Sequence, residues 1–160
     1  REYESGQKAR LYNSTNFPVI RYSDVLLMKA EAENAINGPT DAAYDAINQV
    51  RRRALGKPVH VPDAAVDLPA DLSATDFLQK VKEERFKELC FEGLRKLDLI
   101  RWGEYVMTMQ AFGMEIATTA PVGFKYASRV GQNITSRNVL FPIPNTEITV
   151  NKLMTQNKGW

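Results

Sequence analysis

Between Glu83 and Trp102 the sequence mixes basic, acidic and apolar residues in an order that few structures can accommodate. On a helix of 3.6 residues per turn, Arg85, Glu88, Glu92 and Arg95 fall on one narrow stripe, in line with Phe77, Val81 and Leu99. Phe86, Cys90, Leu94 and Leu97 form a second apolar face. The spacing predicts one helix from about Thr75 through Phe86 and Leu89, across Gly93, to Arg101, buried on both apolar sides. Charges buried that way must be paired and hydrogen-bonded. The i,i+3 spacings Arg85–Glu88, Glu92–Arg95 and Arg95–Asp98 offer partners within the helix. Arg85, Glu88, Glu92, Arg95 and Asp98 are therefore expected to form a structural ion network. Gly93 costs about 1 kcal/mol inside a helix, so another backbone is expected to cross there.

Glu88 and Glu92 could instead be read as a catalytic carboxylate pair. Glycosidase carboxyls face each other across a substrate bond in a cleft, whereas these stand one turn apart among arginines that keep both ionised. No catalytic residue is assigned. The single cysteine, Cys90, rules out an internal disulfide, and one histidine, His60, leaves no Cys- or His-rich metal site. No metal or cofactor is expected. A net charge of +2 lacks the clustered basic excess that nucleic-acid binding needs. The basic run Arg51-Arg52-Arg53 lies on a predicted helix, where its members point in different directions. No apolar stretch approaches the roughly 20 residues of a membrane span. The chain opens on Arg1 and reads as a piece of a longer protein.

The remaining sequence organises around helices. Residues 1–16 read as an irregular lead-in. Residues 17–56 read as a helical hairpin: an extended Phe17–Arg21, a helix from Tyr22 to Ala35 stopped by Asn37-Gly38-Pro39, and a helix from Ala42 to Ala54 capped by Thr40 or Asp41. Residues 57–72, with three prolines, read as a loop. Ser73 and Asp76 open the charged helix with a capping signature. Trp102-Gly103 ends it, and a shorter helix follows from Glu104 to about Met114, so that 73–116 holds both. Residues 117–160 read as a loop-rich tail: a Gly-, Ser-, Thr- and Asn-rich stretch with room for a small hairpin, then an extended Val139–Pro144 that two prolines confine to an edge or a docked tail.

Four segments carry a family resemblance. Arg85-x-x-Glu88-Leu89-x-x-Glu92-Gly93-x-Arg95-x-x-Asp98-Leu99-x-Arg101-Trp102-Gly103 closely resembles the signature helix of SusD/RagB proteins. Phe17-Pro18-Val19-Ile20-Arg21-Tyr22-Ser23-Asp24-Val25-Leu26-Leu27, continuing to Ala30-Glu31-Ala32, resembles an earlier family helix, with Asp24 where Glu is commoner. Ala46-Ile47-Asn48-x-Val50-Arg51-x-Arg53-Ala54 resembles the next motif. Phe141-Pro142-Ile143-Pro144 with Asn151 and Gln156-Asn157 resembles the family's close, with Lys158-Gly159-Trp160 in place of Pro-Gly-Tyr. The motifs run in family order from about residue 17 to the end, so 1–160 is similar to a single C-terminal SusD/RagB-like region.

The resemblance implies a mainly α, SusD-like helical fold with tetratricopeptide-like helix pairing and long irregular loops. It implies a non-enzymatic protein at the bacterial outer membrane, on the cell surface, lipid-anchored through a cysteine upstream of this segment. It also implies capture of an oligosaccharide or other nutrient for a SusC-like TonB-dependent transporter, with no nucleic acid involved and the membrane reached only through the anchor. Sugar binding needs exposed aromatics and amide or guanidinium groups. Phe124, Tyr126, Arg129, Gln132 and Asn133 have that composition and are the candidate ligand contacts; Trp102 is expected to be a core anchor and His60 a surface residue. Two other readings compete. A tetratricopeptide-like interaction module would rest on the first hairpin alone, and a glycan-acting hydrolase would need two carboxyls in one open cleft.

Overall fold

The computed structural model describes residues 18–160. The irregular lead-in expected over 1–16, and Phe17, lie outside the described residues. Seven α-helices follow one another, and no strand occurs among the described residues: α1 (Tyr22–Asn37), α2 (Asp41–Ala54), α3 (Ala74–Glu88), α4 (Arg95–Arg101), α5 (Tyr105–Thr119), α6 (Ser128–Asn133) and α7 (Asn145–Val150). Two short 3-10 helices, Val122–Ala127 and Ser136–Val139, complete the set. The chain divides into two compact units, one ending at Cys90 and the other spanning Phe91–Trp160.

In the N-terminal unit, α1, α2 and α3 pack together around one core. Leu26, Leu27 and Ala30 of α1 meet Ala43, Tyr44, Ala46, Ile47 and Val50 of α2, and Phe77 and Val81 of α3. The alanines let the helix backbones approach, and Phe77 meets Tyr44 edge to face at 4.9 Å between ring centroids. The Thr40 hydroxyl accepts from the Ala43 N–H at 3.4 Å to cap α2, and Ser73 accepts from the Asp76 N–H at 3.1 Å to cap α3. The proline-rich segment after α2 is held by side chains. Buried Asn48 accepts the Leu68 N–H at 3.0 Å, and the Tyr44 hydroxyl accepts that of Leu72 at 3.1 Å.

The single long helix expected across Gly93 does not form. α3 stops at Glu88, and the chain turns through Leu89–Leu94 before α4 begins at Arg95. The cause is local backbone geometry: Phe91 has φ of 64° and Gly93 φ of 80°, both left-handed and incompatible with a continuing right-handed helix. Gly93 is there for that conformation and not for a crossing backbone, since a Cβ added to it meets nothing within 4 Å. The second apolar face is lost with the helix. Phe86, Phe91 and Leu97 are exposed, as is Cys90.

The C-terminal unit departs further from the loop-rich expectation. α5 continues past Met114 to Thr119, its last turn braced by the Thr118 and Thr119 hydroxyls donating to the Glu115 carbonyl at 2.9 and 2.8 Å. No hairpin follows; 122–139 is instead a chain of short helices. What seats them is a glycine-to-glycine approach. A Cβ on Gly113 of α5 would lie 2.8 Å from the Gly131 Cα of α6, and one on Gly131 would overlap the Met109 carbonyl. Two glycines that read as loop formers in sequence thus allow two helix backbones to touch.

The extended stretch before α7 is docked by amides. Pro142 and Pro144 have no N–H, so Ile143 alone offers both a donor and an acceptor. The Gln156 side chain meets both, accepting the Ile143 N–H at 2.8 Å and donating to its carbonyl at 2.9 Å. Asn157 donates to the Phe141 carbonyl at 2.6 Å. The Pro-Ile-Pro and Gln-Asn motifs are two halves of one clasp.

Candidate functional site

The charged residues of the N-terminal unit pair between helices. Buried Arg85 on α3 meets buried Asp24 at the start of α1, 2.8 Å apart. The Glu88 side chain at the end of α3 receives Arg21 at 2.7 Å and Arg53 at 2.6 Å, so it joins the lead into α1 with the last turn of α2. Arg21 also donates to the Glu88 carbonyl at 2.6 Å. Arg51 bonds Glu84 at 3.1 Å and the Val66 carbonyl at 2.9 Å, while Arg52 holds Asp67 in a two-pronged pair at 2.7 and 2.5 Å. The run Arg51-Arg52-Arg53 thus sends three side chains to three acids.

Partners for Arg85 and Glu88 also come from other helices. Arg85 and Glu88 find partners on α1 and α2, because those helices pack against the face that carries them. Glu92 lies half-buried in the turn after α3, off the stripe that Glu88 occupies. Arg95 sits in α4, its guanidinium 5.7 Å from the Trp102 ring centroid. Buried Asp98 accepts from Arg101 at 2.9 Å. The structure therefore joins Arg85 and Glu88 to Asp24, Arg21 and Arg53, all three of which stand in the quoted motifs of α1 and α2. Asp24 was legible only as a motif position; no local periodicity marks it as the partner of a residue 61 places away.

Two carboxylates of this array, Glu88 and Asp67, are held ionised. Burial pushes the Glu88 carboxyl up, but the Arg21 and Ser23 hydrogen bonds and the Arg53 charge outweigh it and set it below the usual range. Asp67 is lowered chiefly by its hydrogen bonds from Arg52. A carboxylate fixed between guanidinium groups accepts hydrogen bonds but is a poor proton donor. Among the described residues no group of three or more His, Cys, Asp or Glu is placed to hold a metal.

The residues proposed for ligand contact lie together in the C-terminal unit. Phe124 and Tyr126 stand on the 3-10 helix Val122–Ala127 and are 64% and 68% exposed. Arg129, Gln132 and Asn133 follow on α6, all exposed, with Arg129 and Asn133 one turn apart on one face. The segment beneath is fixed by the Gly113–Gly131 approach, by Ser128 donating to the Lys125 carbonyl at 2.7 Å and by Gln110 donating to the Ile134 carbonyl at 3.3 Å. The result is a short, braced platform carrying two rings, a guanidinium and amides. Trp102 is half-buried, and Arg101 lies over its ring at 4.6 Å; His60 is exposed.

Comparison with known proteins matches both units at once. The sequence model of the SusD family covers residues 2–160. The chain is 34% identical over 151 residues to the SusD-like protein P25 of Formosa agariphila, covering 92% of this chain and 25% of that protein. It is 27% identical over 154 residues to the starch-binding protein SusD of Bacteroides thetaiotaomicron, covering 93% of this chain and 22% of the other. A crystal structure of a SusD homologue from Bacteroides thetaiotaomicron superposes with a TM-score of 0.83 at 41% identity, over 92% of this chain and 28% of that one. The chain belongs to the SusD family. It spans about a quarter of the length of these relatives.

Proposed function

We propose that this chain is the C-terminal part of a cell-surface nutrient-binding protein that captures a glycan without transforming it. The observation that carries the reading is the similarity over nearly the whole chain to a protein named for binding starch. Two features are consistent with it: the exposed Phe124–Asn133 platform has the ring and amide chemistry of sugar contact, and Glu84 and Glu88 of α3 are each engaged by arginine. In this reading the ion array is architecture and cargo meets the braced platform together with parts of the protein upstream.

The proposal includes the setting that the family resemblance implies. The parent protein is lipid-anchored at the bacterial outer membrane and hands its cargo to a SusC-like TonB-dependent transporter. No described helix is long and apolar enough to cross a membrane. The test uses the complete parent protein and a fluorescently labelled oligosaccharide. Saturable binding with the sugar recovered intact is the expected result; shortened product accumulating with time would make the protein a hydrolase.

A further inference from the structure

A second feature of the C-terminal unit has ligand chemistry of its own. Thr135, Ser136, Arg137, Leu140, Lys158 and Gly159 line an open groove of about 530 Å³. Its charge is of one sign: Arg137 and Lys158 contribute two cations, and no acidic side chain lines it. In the N-terminal unit, by contrast, each of Arg51, Arg52, Arg53 and Arg85 is matched with a carboxylate.

Arg137 is held in place without being neutralised. Its guanidinium lies 4.7 Å from the Trp160 ring centroid. The ring is itself fixed, because its Nε1 donates to the Arg137 carbonyl at 3.0 Å and the Leu140 carbonyl at 3.2 Å. Gly159 lets the tail press against the arginine stem, since a Cβ there would come within 2.9 Å of the Arg137 Cβ. Of the five guanidinium N–H donors, one reaches the Gly159 carbonyl, at a long 3.4 Å. A planar fork stacked on an indole, with its edge open beside a lysine and two hydroxyl-bearing residues, suits a planar or tetrahedral oxyanion.

We propose that this groove is a subsite for an oxyanion, the carboxylate or sulfate ester of an acidic saccharide. Arg137 supplies the two-pronged contact and Lys158 the second positive charge. The inference rests on the glycan-capture reading and narrows it to acidic sugars, with the charge recognised at a place apart from Phe124 and Tyr126.

Calorimetric titration of the complete chain with an oligogalacturonide, with a neutral maltooligosaccharide of equal length and with sodium sulfate tests this. The acidic sugar should bind about 10-fold more tightly than the neutral one at low salt, an advantage that shrinks as ionic strength rises from about 0.05 to 0.5 M. Lys158→Gln touches no internal contact of the fold and should remove a large part of that preference while leaving neutral-sugar affinity alone. Arg137→Gln should remove more, with the Trp160 fluorescence reporting whether the tail stays docked. An acidic preference that survives Lys158→Gln and Arg137→Gln overturns the subsite, as does neutral sugar binding as tightly as acidic. If no saccharide binds but sulfate shifts the Trp160 indole resonance, and Lys158→Gln abolishes the shift, the oxyanion site stands and glycan capture fails.

Discussion

The two units of this chain hold short helices in place by opposite means. Up to Cys90, three helices enclose a core in which Leu27, Ile47 and Phe77 are fully buried, and guanidinium–carboxylate pairs cross between helices at their ends. From Phe91 onward few apolar side chains are buried; Leu99 and Ile134 are, while Phe112, Leu140, Phe141 and Leu153 are exposed. There the order comes from backbone: one glycine against another, and amide side chains clasping a proline-flanked segment. A unit held by side-chain identity tolerates little change in those side chains. A unit held by backbone proximity leaves its side chains free for other work, and this is where exposed Phe124 and Tyr126 and the Arg137–Lys158 groove lie.

The contrast can be broken most sharply at Arg85. Replacing it with alanine removes the guanidinium that meets buried Asp24, and should destabilise the chain by about 3–5 kcal/mol in urea denaturation. Replacing Arg85 and Asp24 together with leucine should recover most of that loss, because two well-packed apolar side chains can substitute for a buried ion pair. A single-variant change within about 0.5 kcal/mol would place the pair in solvent.

The matching perturbation in the other unit is Gly131→Ala. The added methyl overlaps the Met109 carbonyl and the Gly113 Cα, both backbone, so about 1–3 kcal/mol is expected. Circular dichroism should show helix lost from the C-terminal unit, and an unaltered melt would mean that the close approach matters little.

Glu88→Gln comes next, at about 1–2 kcal/mol, since the amide keeps the shape and loses the charge-assisted bonds to Arg21 and Arg53. The sign of its pH dependence follows from the lowered folded-state pKa values. Glu88 and Asp67 add stability above their ordinary ionisation range of about pH 4, and that stability disappears as pH falls through their depressed values. Acid titration of the fold should therefore be shallower in Glu88→Gln than in the native chain. Identical acid limbs would remove Glu88 from the account. The smallest stability effect belongs to Phe124→Ala, within about 0.5 kcal/mol, because the ring is exposed; its effect should appear in glycan affinity instead.

The legible parts of the fold were those with local causes. The helices α1 and α2, their stop at Asn37-Gly38-Pro39 and the Ser73–Asp76 cap follow from spacing and cap chemistry within a few residues. The break at Leu89–Leu94 was not legible. A glycine in a helical period is compatible with either an interior or a stop, and the deciding conformation at Phe91 is one that an aromatic residue rarely adopts. The ion array was half legible: the acids and arginines of α3 stood out, yet their partners Asp24, Arg21 and Arg53 are brought in by packing of other helices. The glycine contact between α5 and α6 left no sequence signal beyond two glycines in polar or small-residue surroundings. The rings and amides of 124–133 were visible as composition; the helices beneath them were not.

The claim on which the account turns is that the carboxylates of α3 hold helices together and perform no chemistry. Glu84→Gln/Glu88→Gln in the complete parent protein, measured for binding and cleavage of one labelled oligosaccharide, tests it most directly. The account predicts a less stable protein that binds the sugar with the native affinity once folded and, like the native protein, returns it intact. Cleavage by the native protein that disappears in the double variant would contradict it.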